Sequence, residues 1–98
     1  MLAEALAALA SAGGTAVVSA MATDGWAAVR TRTARLFGRG DATREAAAAK
    51  RLERVRAELD KLSGAELAQA RAQQEAAWAT RLADLLEEQP ESESELRA

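Results

Sequence analysis

The chain has 98 residues and a net charge of −2, enough for one domain with a single small core. It contains no cysteine and no histidine, which excludes disulfides, zinc–thiolate sites, thiol nucleophiles and a histidine general base. Alanine makes up more than a quarter of the residues and isoleucine is absent, so the composition predicts an all-α fold.

The first predicted helix, about residues 2–22, is apolar or small throughout except for Glu4. No lysine or arginine precedes it, so it lacks the basic start of a secretory signal. About 21 residues rising about 1.5 Å each span about 31 Å, close to the hydrocarbon thickness of a bilayer. Its few large apolar residues each contribute only about −0.3 to −0.6 kcal/mol to insertion. A helix that is long enough to insert but gains so little free energy from insertion is expected to enter a membrane only after activation.

Within this helix, one arc carries the leucines, and Val18 is expected to lie further from that arc. Gly13 and Gly14 predict close helix–helix packing inside the membrane. The alternative is an ordinary core helix of an alanine-rich bundle. The residues predicted to carry membrane insertion are Leu2, Leu6, Leu9, Gly13, Gly14, Val17, Val18 and Met21.

The second predicted helix, about 25–38, follows a break at 23–25 in which Asp24 is the expected N-cap. Its aromatic residues Trp26 and Phe37 share one side. Three arginines lie opposite, with Arg30 at the boundary. Basic amphipathic helices favour anionic membrane surfaces, although the aromatics can equally be core and the arginines solubilising. The residues predicted to contact anionic lipid are Arg30, Arg32, Arg35 and Arg39. Four arginines in an acidic chain without a recognised motif do not indicate nucleic-acid binding.

Two longer helices are predicted at about 42–62 and 64–88. Asp41 is the expected N-cap of the third, and Ser63 with Glu66 has the spacing of a capping box for the fourth. The short turn at Gly64 predicts that these two helices form an antiparallel hairpin. The predicted core residues of the domain are Trp26, Phe37, Leu52, Val55, Leu59, Leu62, Trp78, Leu82 and Leu85.

The sequence therefore predicts a four-helix bundle domain over residues 1–89 and a disordered acidic tail over 90–98. The tail reads as a linker, so we expect the chain to be the front of a longer protein. Carboxylates are plentiful, but they lie on mixed-charge helix faces without a general base, a phosphate-binding loop or metal-ligand spacing. We expect no enzyme activity, no catalytic residue, no metal and no cofactor.

The order of these segments resembles a known family. The run from Met1 to Gly14, then 24–29 (DGWAAV) and the arginine-rich 35–39 (RLFGR), is similar to the N-terminal regions of actinobacterial Bell domains, the bacterial counterparts of fungal HeLo cell-death domains. The resemblance covers about residues 1–40. It implies a helical bundle with a glycine-containing apolar first helix that permeabilises membranes in regulated cell death and antiphage defence. Family members are triggered by a sensor protein through a short amyloid motif after a linker, and residues 1–98 contain no such motif.

The expected function is that of a pore-forming cell-death effector domain. It would be cytoplasmic, self-associate on activation and be recruited to lipids at the inner face of the plasma membrane. The alternative is an adaptor, a helical protein–protein interaction module of a bacterial conflict system that never contacts lipid. A sensor protein acting through a C-terminal motif outside these residues is the expected trigger of the effector.

Overall fold

The computed structural model describes residues 2–97, without the side chains of Leu2, Ala3 and Glu95. The helices are α1 (Leu2–Ala20), α2 (Trp26–Gly38), α3 (Ala42–Asp60), α4 (Gly64–Glu88) and α5 (Ser92–Arg97). No strand occurs within the described residues, which confirms the predicted all-α class. Instead of a disordered tail after four helices, residues 92–97 form a fifth, short helix. The division into a domain at 1–89 and a linker at 90–98 stays a prediction.

The boundary between α2 and α3 follows local chemistry closely. Arg39 and Gly40 adopt positive φ angles of 54° and 84°, and this left-handed backbone ends α2. Asp41 then caps α3, because its carboxylate accepts hydrogen bonds from the backbone N–H groups of Thr43 (2.8 Å) and Arg44 (3.1 Å). The predicted cap at Asp41 is therefore confirmed.

Two other predicted caps are wrong. The N-cap of α2 is Gly25 rather than Asp24, and no side chain bonds to the helix start there. Thr23 organises this turn instead, because its hydroxyl donates to the carbonyl of Ala20 and accepts from the N–H of Gly25. Ser63 occupies the N-cap position of α4, but its side chain makes no capping bond, so the capping box does not form. A correct spacing does not ensure the rotamers that a capping box needs.

The helices pack as two antiparallel pairs. α1 lies along α4, with Gly13 beside Leu82 near the end of α4 and Gly14 beside Glu75 and Ala79 at its middle. α2 lies along α3, and Gly38 at the end of α2 touches Glu45 near the start of α3. The predicted hairpin of α3 and α4 is therefore wrong, since each of these helices packs mainly on another partner.

The core lies between the two pairs. One cluster joins Val17 and Val18 of α1, and Met21 just after it, to buried residues of the other three long helices; these are Trp26, Leu52, Val55, Leu59 and Trp78. A second cluster gathers Ala10, Leu36, Leu82, Leu85 and Leu86, with Leu96 of α5 packed against it. Phe37 is half-buried and packs against both clusters, whereas Leu62 is half-buried just after the end of α3.

Trp78 of α4 occupies the centre of this core and is 1% exposed. Its ring makes an edge-on contact with Phe37 of α2, with centroids 5.6 Å apart. The guanidinium of Arg81 lies 4.7 Å from the ring centroid on one face, in cation–π geometry. The indole Nε1 is buried without a hydrogen-bond partner among the described residues. Trp78 therefore links the two helix pairs by packing.

Candidate functional site

The residues predicted to insert into membrane mostly face the interior of the folded chain. Gly14, Val17, Val18 and Met21 are buried. Leu6, Leu9 and Gly13 are half-buried, and the side chain of Leu2 lies outside the described residues. Val18, which was expected to lie further from the leucine arc, is only 1% exposed, so the leucine arc is not the centre of the buried side of α1. The buried stripe of α1 is Ala10, Gly14, Val17 and Val18, and Met21 continues it just after the helix. The stripe follows helical spacing but is rotated from the leucine arc.

α1 approaches α4 closely at Gly14. A Cβ atom at Gly14 would lie 2.6 Å from the carbonyl oxygen of Glu75 and 2.8 Å from the amide nitrogen of Ala79. Both are backbone atoms, so the two helices touch main chain to main chain at this point. A Cβ at Gly13 would instead meet the flexible end of Leu82 at 2.8 Å. The glycine pair thus has a packing role within the folded chain.

The outward side of α1 carries no charge beyond its first turn. Glu4 is exposed at the helix start, but residues 5–22 contain no Asp, Glu, Lys or Arg. The exposed residues in this stretch are Ala5, Ala7, Ala8, Ser11, Ala12, Thr15, Ala16, Ser19 and Ala22. We call these nine residues, of which Ala22 lies just after the helix, the outer face of α1. A surface of alanine and hydroxyl side chains permits close contact with another helix or with lipid, because it presents little steric bulk and no charge to desolvate.

The arginines of α2 do not form one uniform basic patch. Arg30 is bound to Glu53 of α3 at 2.7 Å, and Arg39 reaches Glu88 of α4 at 3.2 Å. Arg35 lies 3.8 Å from Glu45 with its side chain 72% exposed, and Arg32 is also exposed. The side chain of Arg35 is thus more exposed than those of Arg30 and Arg39, which are 34% and 29% exposed, and it is well placed for contact with an anionic surface.

Glu53 organises a polar network that the sequence did not reveal. Its Oε1 accepts hydrogen bonds from Arg30 Nη1 and Trp26 Nε1, both at 2.7 Å. Arg56 lies 3.8 Å from the other carboxylate oxygen and donates through Nε to the carbonyl of Met21, which ties α3 to the end of α1. The hydrogen bonds from Arg30 and then from Trp26 hold the pKa of the Glu53 carboxyl below its ordinary value. No local pattern signals this site, because its members lie 23 and 27 residues apart.

A groove between α1 and α2 was likewise not predicted. It has a volume of about 470 Å³ and is bordered by α5 at one side. Its walls combine Leu9 and Val17 of α1 with Val29 and Leu36 of α2. The groove exists because α1 and α2 belong to different helix pairs and pack on each other only loosely.

Among residues 2–97, no helix has both the length and the apolar character needed to cross a membrane. Within the same residues, no group of acidic side chains is arranged so that it could hold a metal ion. Comparisons of the chain with protein-family models, with curated proteins and with solved structures give no match.

Proposed function

We propose that this domain perturbs anionic membranes when several copies are brought together, and that α1 is the element that enters the lipid. The observation that carries the proposal is the uncharged outer face of α1. Together with its apolar inner face, it makes α1 a helix without charge on any side from Ala5 to Ala20. In the role that the resemblance to Bell domains implies, this would be the execution step of a cell-death response against phage.

The other long helices differ from α1 in this respect. α3 exposes Arg44, Lys50, Arg54 and Glu58, and α4 exposes acidic and amide side chains along its outer side. Moving a charged side chain to the centre of a bilayer costs at least about 2.5–3.5 kcal/mol. Of the four long helices, α1 is the one whose transfer into lipid avoids this cost along most of its length.

The burial of α1 in the resting domain explains why we expect it to enter the membrane only when several copies cluster. Withdrawing α1 exposes Val17, Val18 and Met21, each worth roughly 1.5–3 kcal/mol when buried. The folded monomer therefore holds α1 in place. Clustering, which we expect to be driven through a region outside these residues, would raise the local concentration of α1 helices at the inner face of the plasma membrane. Arg32 and Arg35 would contact anionic head groups as the domain docks.

A charge on the outer face of α1 tests this proposal without disturbing the core. Thr15→Arg places an arginine at an exposed position near the middle of α1, and Gln73→Arg adds the same charge at an exposed position of α4 as a matched control. Each variant would be fused to an inducible oligomerising domain and tested for dye release from anionic liposomes. We expect wild type and Gln73→Arg to release dye on clustering. Thr15→Arg should release it at least about ten-fold more slowly, because its added charge must be transferred into lipid with α1.

Circular dichroism would confirm that both variants keep the wild-type fold. Equal release by Thr15→Arg and wild type would show that α1 is not the inserting element. If clustered wild type releases no dye at all, the adaptor function is favoured. In that case the outer face of α1 would be a contact surface for a partner helix, and Thr15→Arg should abolish partner capture instead.

A further inference from the structure

The groove between α1 and α2 has the dimensions of a small-molecule site. Its volume of about 470 Å³ falls within the range of about 300–1,000 Å³ that is usual for ligand pockets. A packed α-helix is about 10–12 Å across with its side chains, so a partner helix would have to spread α1 and α2 apart. The groove therefore suits a narrow ligand better than a helix.

The lining of the groove separates into an apolar floor and a basic rim. Leu9 and Val17 come from α1, Val29 and Leu36 from α2, and Leu96 from α5. The alanines at 12 and 16, together with the glycine at 13, leave the space between these side chains open. Among the described residues that line the groove, the charged ones are Arg32 and Arg97. An apolar channel with two guanidinium groups at its edge is complementary to an amphiphile with one anionic end.

We propose that this groove binds a medium-chain fatty acid, with the alkyl chain on the apolar floor and the carboxylate between Arg32 and Arg97. The guanidinium of Arg97 already binds a carboxylate, that of Glu93, at 2.9 and 3.1 Å. This pair lies on the surface, where such pairs are worth only about 0–1 kcal/mol, so a ligand carboxylate can share or replace it. The stretch of α1 from Leu9 to Val17 rises about 12 Å, which sets the chain length at that of decanoate.

Binding in the groove goes beyond membrane entry by α1 and does not depend on it, because the ligand occupies the folded resting domain. An experiment can therefore disprove ligand binding in the groove without disproving membrane entry by α1, and the reverse. Thr15→Arg should lose dye release but still bind decanoate, because Thr15 does not line the groove.

The test is a titration of the isotope-labelled protein with decanoate, followed by methyl and amide NMR shifts. We expect saturable shifts at Leu9, Val17, Val29, Leu36 and Leu96, about ten-fold weaker binding of the uncharged decanol, and none of a decyl ammonium ion. Arg32→Gln combined with Arg97→Gln should reduce the preference for decanoate over decanol to near unity. Equal affinity for the acid and the alcohol in wild type would overturn the proposed carboxylate contact.

A steric pair of variants locates the ligand. Ala16→Phe puts a ring into the groove from an exposed position, and Ala8→Phe puts the same ring at an exposed position of α1 that does not line it. Decanoate binding should fall at least about ten-fold in Ala16→Phe and stay unchanged in Ala8→Phe. Unchanged binding in Ala16→Phe overturns the proposal. The proposal is also overturned if the same methyl groups shift with protein concentration in the absence of ligand, because a second copy of the chain would then occupy the groove.

Discussion

The α1–α4 and α2–α3 pairs are both antiparallel, and both have a glycine at a close contact, yet they are stabilised differently. Gly14 brings α1 against the backbone of α4, and α1 offers only alkyl and hydroxyl side chains from Ala5 onward. α2 and α3 meet at Gly38 and Glu45, and Glu53 of α3 also accepts hydrogen bonds from two side chains of α2. The difference teaches that α1 can separate from α4 without breaking a side-chain ion pair along that stretch, whereas α2 cannot leave α3 without unpairing a carboxylate.

The largest expected effect is at Trp78, which contacts both pairs. Trp78→Ala should lower the free energy of unfolding by about 3–5 kcal/mol, because it leaves a large cavity between α4 and Phe37. Trp78→Phe is the matched control, since it keeps an aromatic ring and removes the unpartnered Nε1. Urea denaturation followed by circular dichroism measures both. A midpoint in Trp78→Ala equal to that of wild type would contradict the central position of this side chain.

The two neighbouring glycines of α1 test how the first pair is held. Gly14→Ala should destabilise the domain by about 1–3 kcal/mol, because the added Cβ meets rigid backbone of α4. Gly13→Ala meets the movable end of Leu82, and the better helix propensity of alanine, worth about 1 kcal/mol, should offset that contact. Thermal unfolding of both variants distinguishes the positions. Equal melting temperatures would mean that α1 and α4 are not in main-chain contact.

The smallest expected effect concerns the polar network of the second pair. Glu53→Gln should lower the free energy of unfolding by about 1 kcal/mol at neutral pH, since the lost charge-assisted bonds are partly exposed to solvent. The pKa of Glu53 is lowered by folding, so its stabilisation is complete above the unfolded carboxyl value of about 4.3 and is lost as pH falls through the lower folded value.

A comparison of unfolding free energies at neutral and acidic pH measures this contribution. The difference between wild type and Glu53→Gln should shrink at acidic pH, whereas Glu58→Gln, an exposed position on the same helix, should show little difference at either pH. A difference between wild type and Glu53→Gln that does not change with pH would show that the carboxylate is not stabilised by its partners.

Features that depend on neighbouring residues were the easiest to predict. The cap at Asp41 follows from a favourable residue after Gly40, and the structure shows its two bonds. The same rule misplaced the cap at Asp24, because Thr23 bonds within the turn and leaves Gly25 at the cap position. A local pattern thus indicates which hydrogen bonds a side chain can make with nearby backbone groups. Neighbouring side chains compete for those groups, and this competition decides which bonds form.

The candidate site was harder to predict because it depends on the rotation of each helix. The spacing of α1 identified its apolar side to within a fraction of a turn, but Val18 proved to be among the most buried residues of the chain. Arg30 and Arg39 were predicted as contacts for anionic lipid, and in the folded chain each binds a carboxylate of another helix. These partners are distant in the sequence, so no local pattern contains them.

The sequence by itself determined the helical class, the approximate helix boundaries and the absence of charge along α1. These follow from intrinsic propensity and side-chain type, which act over a few residues. The tertiary structure alone decided that α1 pairs with α4, that Glu53 joins two helices and that the acidic segment after Pro90 forms α5. Such pairings depend on the packing of helix surfaces that are distant in the sequence. A glycine, for example, permits backbone contact only where the backbone of a partner helix lies next to it.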